Sequence, residues 1–198
     1  MKLIKHELTA PLTVIINQTM STGIFPNALK IAKVRPLYKK GEQSSLNNYR
    51  PISLLPTISK IFERVLYNQI YKYFNDNNLI SEQQYGFRSQ HSTELATIKL
   101  MDNIIKNMDN TNTVKTPTTI FLDLSKAFDT LNFDILLRKL QNYGIYGVPL
   151  YLIKSYLTNR FQYVKYKNTD SELLELKTGI PQGSILGPFS SVYILMIL

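Results

Sequence analysis

Apolar residues recur at helical spacing through residues 58–75. Ile58, Ile61, Phe62, Val65, Leu66, Ile70 and Tyr73, with Gln69 among them, follow the i, i+3, i+4, i+7 rule. The spacing predicts a helix over Ile58–Asn75, capped by Thr57 or Ser59 and ended by the Asn75–Asn78 run. A second amphipathic run follows Ser92 and Thr93, either of which can cap it, with Leu95, Ile98, Met101, Ile105 and Met108 on one face. His6–Met20 predicts a helix interrupted early by Pro11 and ended by Gly23 and Pro26. Asp134–Tyr143, stopped by Gly144, and Pro149–Leu157 predict two more.

The β-type runs are shorter. Ala32–Tyr38 reads as a strand and Lys39–Glu42 as its turn. Thr118–Leu122 is β-branched and aromatic, a buried strand by type, and it delivers Asp123 at its C-terminal end. Phe161–Tyr166 and Leu173–Lys177 flank Asn168–Ser171 and predict a hairpin. Gly179 and the Pro181–Ser184 segment predict a turn, with Ser184 able to cap a final helix. Asp109–Pro117 reads as a polar loop, and no repeat or low-complexity tract interrupts the chain.

Composition narrows the class. The chain has 198 residues, 44% hydrophobic and 11% aromatic, which predicts a folded domain rather than a disordered tail. That length buries roughly 70% of the unfolded surface, so no disulfide or metal is needed for stability. The absence of Cys excludes a disulfide framework, a Cys nucleophile and Cys-based zinc or iron–sulfur sites. His6 and His91 are the only histidines, which argues against a zinc hydrolase.

Charge adds a partner class. The formal charge is +9, and residues 1–117 hold 15 basic groups against 8 acidic ones. Five of the eleven residues from Lys30 to Lys40 are basic. A polyanionic partner, most simply nucleic acid, and a soluble basic surface both account for this. The N-terminus lacks the pattern of a signal peptide. The apolar Ile185–Leu198 stretch is shorter than the roughly 20 residues that span a bilayer, so no membrane partner is expected. That stretch reads as a core segment cut through rather than as a frayed polar end.

Four segments hold candidate chemistry, and each has a plainer reading. Asp123 at a strand end offers a hard oxygen ligand for Mg²⁺, or simply opens a turn. Asp129, six residues on, is more simply a local cap or ion-pair partner. Lys39, Lys40 and Arg50 flank a turn and suit a triphosphate, with Arg50 extended before Pro51, or form a solvated basic hairpin tip. Gln182 and Gly183 let a backbone approach a ligand, or form an ordinary turn before a Ser cap. Tyr85 and Arg88 suit base stacking and a phosphate contact, or anchor a loop.

The order of these segments is more specific than any one of them. Arg50–Leu55, Ser59–Glu63, Gln84–Arg88 and Ser92-Thr93 resemble the fingers motifs of non-LTR retrotransposon reverse transcriptases, closest to the jockey/CR1-like branch. Phe121–Asp129 and Gly179–Pro188 resemble that family's palm motifs A and B. The resemblance runs from about Gly23 to Pro188. It implies that Asp123 is a catalytic, metal-binding aspartate and that the Leu124 carbonyl shares its Mg²⁺. It implies that Phe128 is the gate against a ribose 2′-OH, and that Lys39 or Lys40, Arg50, Gln182 and Gly183 hold the incoming dNTP. Tyr85 and Arg88 are expected to touch template or primer. The implied reaction is RNA-templated addition of a dNTP to a DNA primer 3′-OH, with two Mg²⁺ ions.

The sequence also departs from that family. Its aromatic-Ala-Asp-Asp hairpin, motif C, is expected a few tens of residues after motif B, yet no Asp or Glu follows Glu175. One aspartate cannot clamp two Mg²⁺ ions, so this chain by itself is expected not to polymerise. Ile194-Leu195-Met196-Ile197 is what the codons for Tyr-Ile-Asn-Asp encode when read one base later, which points to a frameshift or mis-set boundary after Pro188. A nucleic-acid-binding module or relic without catalysis is the alternative.

The expected fold is α+β, an incomplete right-hand polymerase with helical fingers, a partial palm built on an antiparallel sheet, and no thumb. Its expected divisions are a helical extension over 1–29, fingers over 30–117 and partial palm over 118–198. An incomplete palm sheet would expose apolar surface and favour aggregation. The resemblance implies action in cytoplasm and nucleus, without secretion, and no protein partner is read from the sequence.

Overall fold

The computed structural model describes residues 5–108, 116–122 and 129–187. Helix α1 spans Lys5–Thr22 and continues through Pro11, so the expected interruption does not occur. Pro11 is exposed, on the side of the helix away from the core. Gly23, with φ +72, and Pro26 end the helix.

Helix α2 spans Thr57–Asp76. Neither Thr57 nor Ser59 caps it; Pro56 precedes the first turn and Ser59 is already helical. Its buried residues are Ser59, Phe62, Glu63, Leu66 and Phe74, so the inward face is rotated from the stripe the apolar spacing predicts. Ile58, Ile61 and Val65 lie half-buried at its edge. Helix α3, Thr93–Met108, starts at a Ser92 cap whose Oγ accepts from Leu95 N–H at 3.3 Å. It buries no residue, and Ile98, Met101, Ile105 and Met108 stay more than half exposed.

Helix α4, Phe133–Asn142, is capped by Asn132, whose side chain accepts from Asp134 N–H and Ile135 N–H. Gly144 follows at φ +86, and Ile145 N–H returns to Leu140 C=O at 3.0 Å, a left-handed stop that glycine adopts without strain. Helix α5, Gly147–Leu157, begins two residues before Pro149. The proline therefore sits in the first turn, where its missing N–H has no helical partner to lose.

Among the described residues, five strands form one mixed sheet: β1 (Ile31–Tyr38), β2 (Tyr49–Leu54), β3 (Arg160–Tyr166), β4 (Thr169–Asp170) and β5 (Leu174–Leu176). β1 pairs β2 antiparallel, with Arg35 opposite Ile52 and Leu37 opposite Arg50. β1 pairs β3 in parallel, Val34 beside Val164, so the sheet is mixed rather than the antiparallel one expected. A parallel pair needs a long crossover, and the chain from β2 to β3 supplies it with α2, α3, α4 and α5. β3 pairs β5 antiparallel, as the predicted hairpin requires. Its turn is tighter than expected, because Thr169 and Asp170 already pair with Tyr166 and Lys165.

The buried strand expected over Thr118–Leu122 is not formed. Residues 116–122 hold no strand, and Ile120, Phe121 and Leu122 are 78%, 82% and 90% exposed. An apolar β-branched run becomes a strand only when a neighbour completes its hydrogen-bond ladder. None of the paired strands lends it an edge.

The core lies where α2, α4 and α5 meet the chain around Phe25 and Ile180. Phe25 packs edge-on against Phe62 at 5.8 Å and Tyr156 at 5.1 Å. Burying each such ring stabilises by roughly 2 kcal/mol or more. No helix among the described residues is long and apolar enough to cross a membrane.

Candidate functional site

The Pro181–Ser184 turn is where distant segments converge. Ser184 N–H donates to Pro181 C=O at 3.0 Å and closes the turn. Ser184 Oγ accepts from Gly187 N–H at 2.9 Å, which is the expected cap at the start of a further helical turn. Gly183 has φ +123, and a Cβ there would stand 2.8 Å from the Ser53 carbonyl oxygen. Glycine alone permits both that conformation and that approach. Ser53 N–H donates in return to Gln182 C=O at 2.8 Å, so strand β2 grips the turn through backbone groups.

Arg50 stands exposed three residues earlier on β2. Lys39 and Lys40 are exposed on the connection from β1 to β2. That connection is stitched by neutral groups. Lys39 N–H donates to Asn48 C=O at 2.8 Å, Asn48 Nδ2 to Glu42 C=O at 2.8 Å, and Tyr49 OH to Gln43 C=O at 2.9 Å. The ammonium groups are not needed to hold the loop and stay at its rim.

Gln182 Nε2 donates to Asp129 Oδ1 at 2.9 Å. Gly179 N–H donates to Leu131 C=O at 2.9 Å, so residues 129–131 run beside residues 178–182. Asp129, read from the sequence as a local cap or ion-pair partner, instead contacts a side chain 53 residues away. Asp123, Leu124 and Phe128 lie outside the described residues, as do the polar loop over 109–115 and the apolar terminus beyond Gly187.

Tyr85 and Arg88 belong to a separate loop. Arg88 Nη1 donates to Ser81 C=O at 3.0 Å, and the Tyr85 ring lies 5.5 Å from the His91 ring. Their described contacts stay within residues 81–91.

Beneath the turn lies a buried charged cluster that sequence reasoning missed. Glu63 is fully buried on α2, and its Oε2 accepts from Ile185 N–H at 2.6 Å. Ser59 Oγ donates to Glu63 Oε1 at 3.2 Å. Arg160, 1% exposed, donates from Nη1 to Tyr156 C=O at 2.9 Å, with its guanidinium 4.7 Å from the Tyr156 ring centre. Burial pushes the Glu63 carboxyl up, and the Ile185 N–H, Arg160 and Ser59 oppose that shift. Burial also pushes the Tyr156 phenol up, with the Glu63 charge adding to it. Lys30 is held below the usual lysine range by burial first and the Arg160 charge second. The available signal was a carboxylate one residue after Phe62, inside the inward half of an amphipathic helix.

Among the described residues, no group of three or more His, Asp and Glu side chains could hold a metal ion. The oxygen donors implied for Mg²⁺, the Asp123 carboxylate and Leu124 carbonyl, are of the hard type that ion takes.

Residues 37–197 match the family model described as reverse transcriptase (RNA-dependent DNA polymerase). The chain is 32% identical over 179 residues to a probable RNA-directed DNA polymerase from transposon BS of Drosophila melanogaster, covering 89% of this chain and 19% of that protein. It is 33% identical over 179 residues to the RNA-directed DNA polymerase from mobile element jockey of the same fly, again 89% of this chain and 19% of the relative. A probable polymerase from transposon X-element of that fly is 29% identical over 192 residues, 95% of this chain and 20% of the relative. The chain thus spans about a fifth of the length of the curated relatives it matches.

Proposed function

Because this chain belongs to the reverse transcriptase (RNA-dependent DNA polymerase) family, we propose that it forms the nucleotide-facing part of an RNA-directed DNA polymerase of a non-LTR retrotransposon. The observation that carries this reading is the docking of the Pro181–Ser184 turn on strand β2. The turn brings Gln182, Gly183 and Asp129 beside Ser53, three residues along β2 from Arg50, and the chain leads back from Asp129 to Phe128 and Asp123.

In this reading Arg50 and Lys39 or Lys40 neutralise the triphosphate, with Arg forking onto its oxygens and Lys acting as a point charge. Gln182 and the open backbone at Gly183 lie against the sugar and base. Phe128 closes the pocket against a 2′-OH. Asp123 and the Leu124 carbonyl would hold Mg²⁺, which when bound supplies charge to stabilise the attacking and leaving oxygens. In the parent polymerase a primer 3′-OH attacks the dNTP α-phosphate and pyrophosphate leaves. Residues 30–117 act as fingers and 118–198 as part of the palm of a right-hand polymerase, with 1–29 a helical extension. RNA template and DNA primer are the partners, and the net charge of +9 suits both.

The test is binding of dTTP with Mg²⁺ by titration calorimetry, beside binding of an RNA–DNA primer duplex at several salt concentrations. Expected are dTTP binding weakened at least about tenfold by Arg50→Ala or by Asp123→Asn, and duplex affinity that falls with salt. Duplex binding without any dTTP affinity, unchanged in Asp123→Asn, would replace this reading with a binding module.

A further inference from the structure

We propose that Glu63 is a positioning residue for the nucleotide-facing turn, holding residues 182–185 against β2 through the Ile185 N–H. The proposal rests on the nucleotide reading of Gln182 and Gly183 for its consequence, and on geometry for its substance.

The first observation is where the carboxylate directs its hydrogen bonds. Glu63 is fully buried, and its two oxygens accept from Ile185 N–H at 2.6 Å and from the Ser59 hydroxyl at 3.2 Å. The nearby cation takes neither oxygen. Arg160 uses Nη1 on the Tyr156 carbonyl, and its Nε and Nη2 have no hydrogen-bond partner among the described residues. A buried carboxylate whose only task was to neutralise Arg160 would meet its guanidinium fork directly. Here one oxygen goes instead to the backbone of a segment 122 residues away.

The second observation is what else holds the turn. Ser53 N–H donates to Gln182 C=O at 2.8 Å, and Ser53 O closes on Gly183. Both contacts are made by backbone and come from β2 on one side. Glu63 comes from α2 and meets the turn after Ser184, so the segment is held at both ends. Burying an ionised group costs more than burying an apolar one of similar volume. An apolar residue at 63 would fill the space but leave the Ile185 N–H without its acceptor. The turn would then keep its β2 contacts and the buried Ile180 and Leu186, but lose its hydrogen bond to α2.

The experiment compares this chain with Glu63→Ala and Glu63→Gln by amide hydrogen exchange with peptide-resolved mass spectrometry, thermal melting and dTTP–Mg²⁺ titration. Expected in Glu63→Ala is exchange about tenfold faster in peptides covering Gln182–Gly187, with β1 and β3 peptides unchanged, and dTTP affinity weakened in parallel. Glu63→Gln retains an acceptor oxygen and should bring the exchange back to within about threefold of the parent chain. If Glu63→Ala does not fold, Glu63→Met, which fills the space but offers no acceptor to the Ile185 N–H, takes its place with the same acceleration expected in the 182–187 peptides. Unchanged exchange there, or acceleration spread equally over the sheet, would overturn the proposal and leave Glu63 an ordinary core group. Local loosening in the variant, combined with a parent chain that shows no dTTP affinity, would support the positioning role and overturn the nucleotide reading instead.

Discussion

Gln182 and Asp129 face each other at 2.9 Å, the amide of one donating to the carboxylate of the other across 53 residues of chain. The pair is exposed, so its net contribution to stability is small, under about 1 kcal/mol. Its effect is on orientation, because the Gln182 amide is held toward the segment that leads back to Phe128. Asp129→Ala is expected to leave the urea midpoint nearly unchanged while weakening dTTP binding several-fold. Asp129→Asn, which keeps an acceptor, should recover most of that loss.

Gly183→Ala has the opposite profile. A Cβ at this position meets the Ser53 carbonyl at 2.8 Å, and φ +123 is strained for any L side chain. The contact is with backbone and cannot rotate away. The substitution is expected to destabilise by about 2 kcal/mol or more, read by chemical denaturation. The loss should appear with no nucleotide present.

Lys30 should make stability depend on alkaline pH. Burial first, and the Arg160 charge second, lower its folded pKa below the unfolded value. The unfolded chain therefore binds the proton more tightly than the folded one. The contribution of this group to folding is present above the unfolded pKa and is lost as pH falls through the folded pKa. Lys30→Met is expected to melt higher than the parent at pH 7, and the gap should close as pH rises toward the ordinary lysine value. Melting curves across that range check it.

The apolar face of α3 should drive self-association. Ile98, Met101, Ile105 and Met108 are 62%, 51%, 52% and 64% exposed along one side of the helix. A contiguous apolar stripe of this kind favours contact between copies. Replacing Ile98 and Ile105 with Lys retains a helix-compatible sequence and should lower the weight-average mass seen by sedimentation velocity. An unchanged mass would assign the association to another surface.

The helices were legible because each depends on a local code. The i, i+4 spacing marked α2, the Gly144 stop marked the end of α4, and Ser92 marked the start of α3. The hairpin of β3 and β5 is likewise a local pairing. The motif order also identified the family, and the match over residues 37–197 bears that out.

Other features depended on partners far along the chain. Thr118–Leu122 has every local mark of a strand, yet a strand exists only when another completes its ladder. β1 beside β3 in parallel could not be read locally, since Ile31 and Phe161 are 130 positions apart. Glu63 was part of the Ser59–Glu63 segment that resembles a fingers motif, and only the folded chain places it under Ile185. The amino-acid sequence by itself determined which segments turn, coil and cap, because those choices rest on neighbours within a few residues. The tertiary structure decided which of them meet, because a backbone N–H buried far along the chain selects its acceptor only once the core has closed around both.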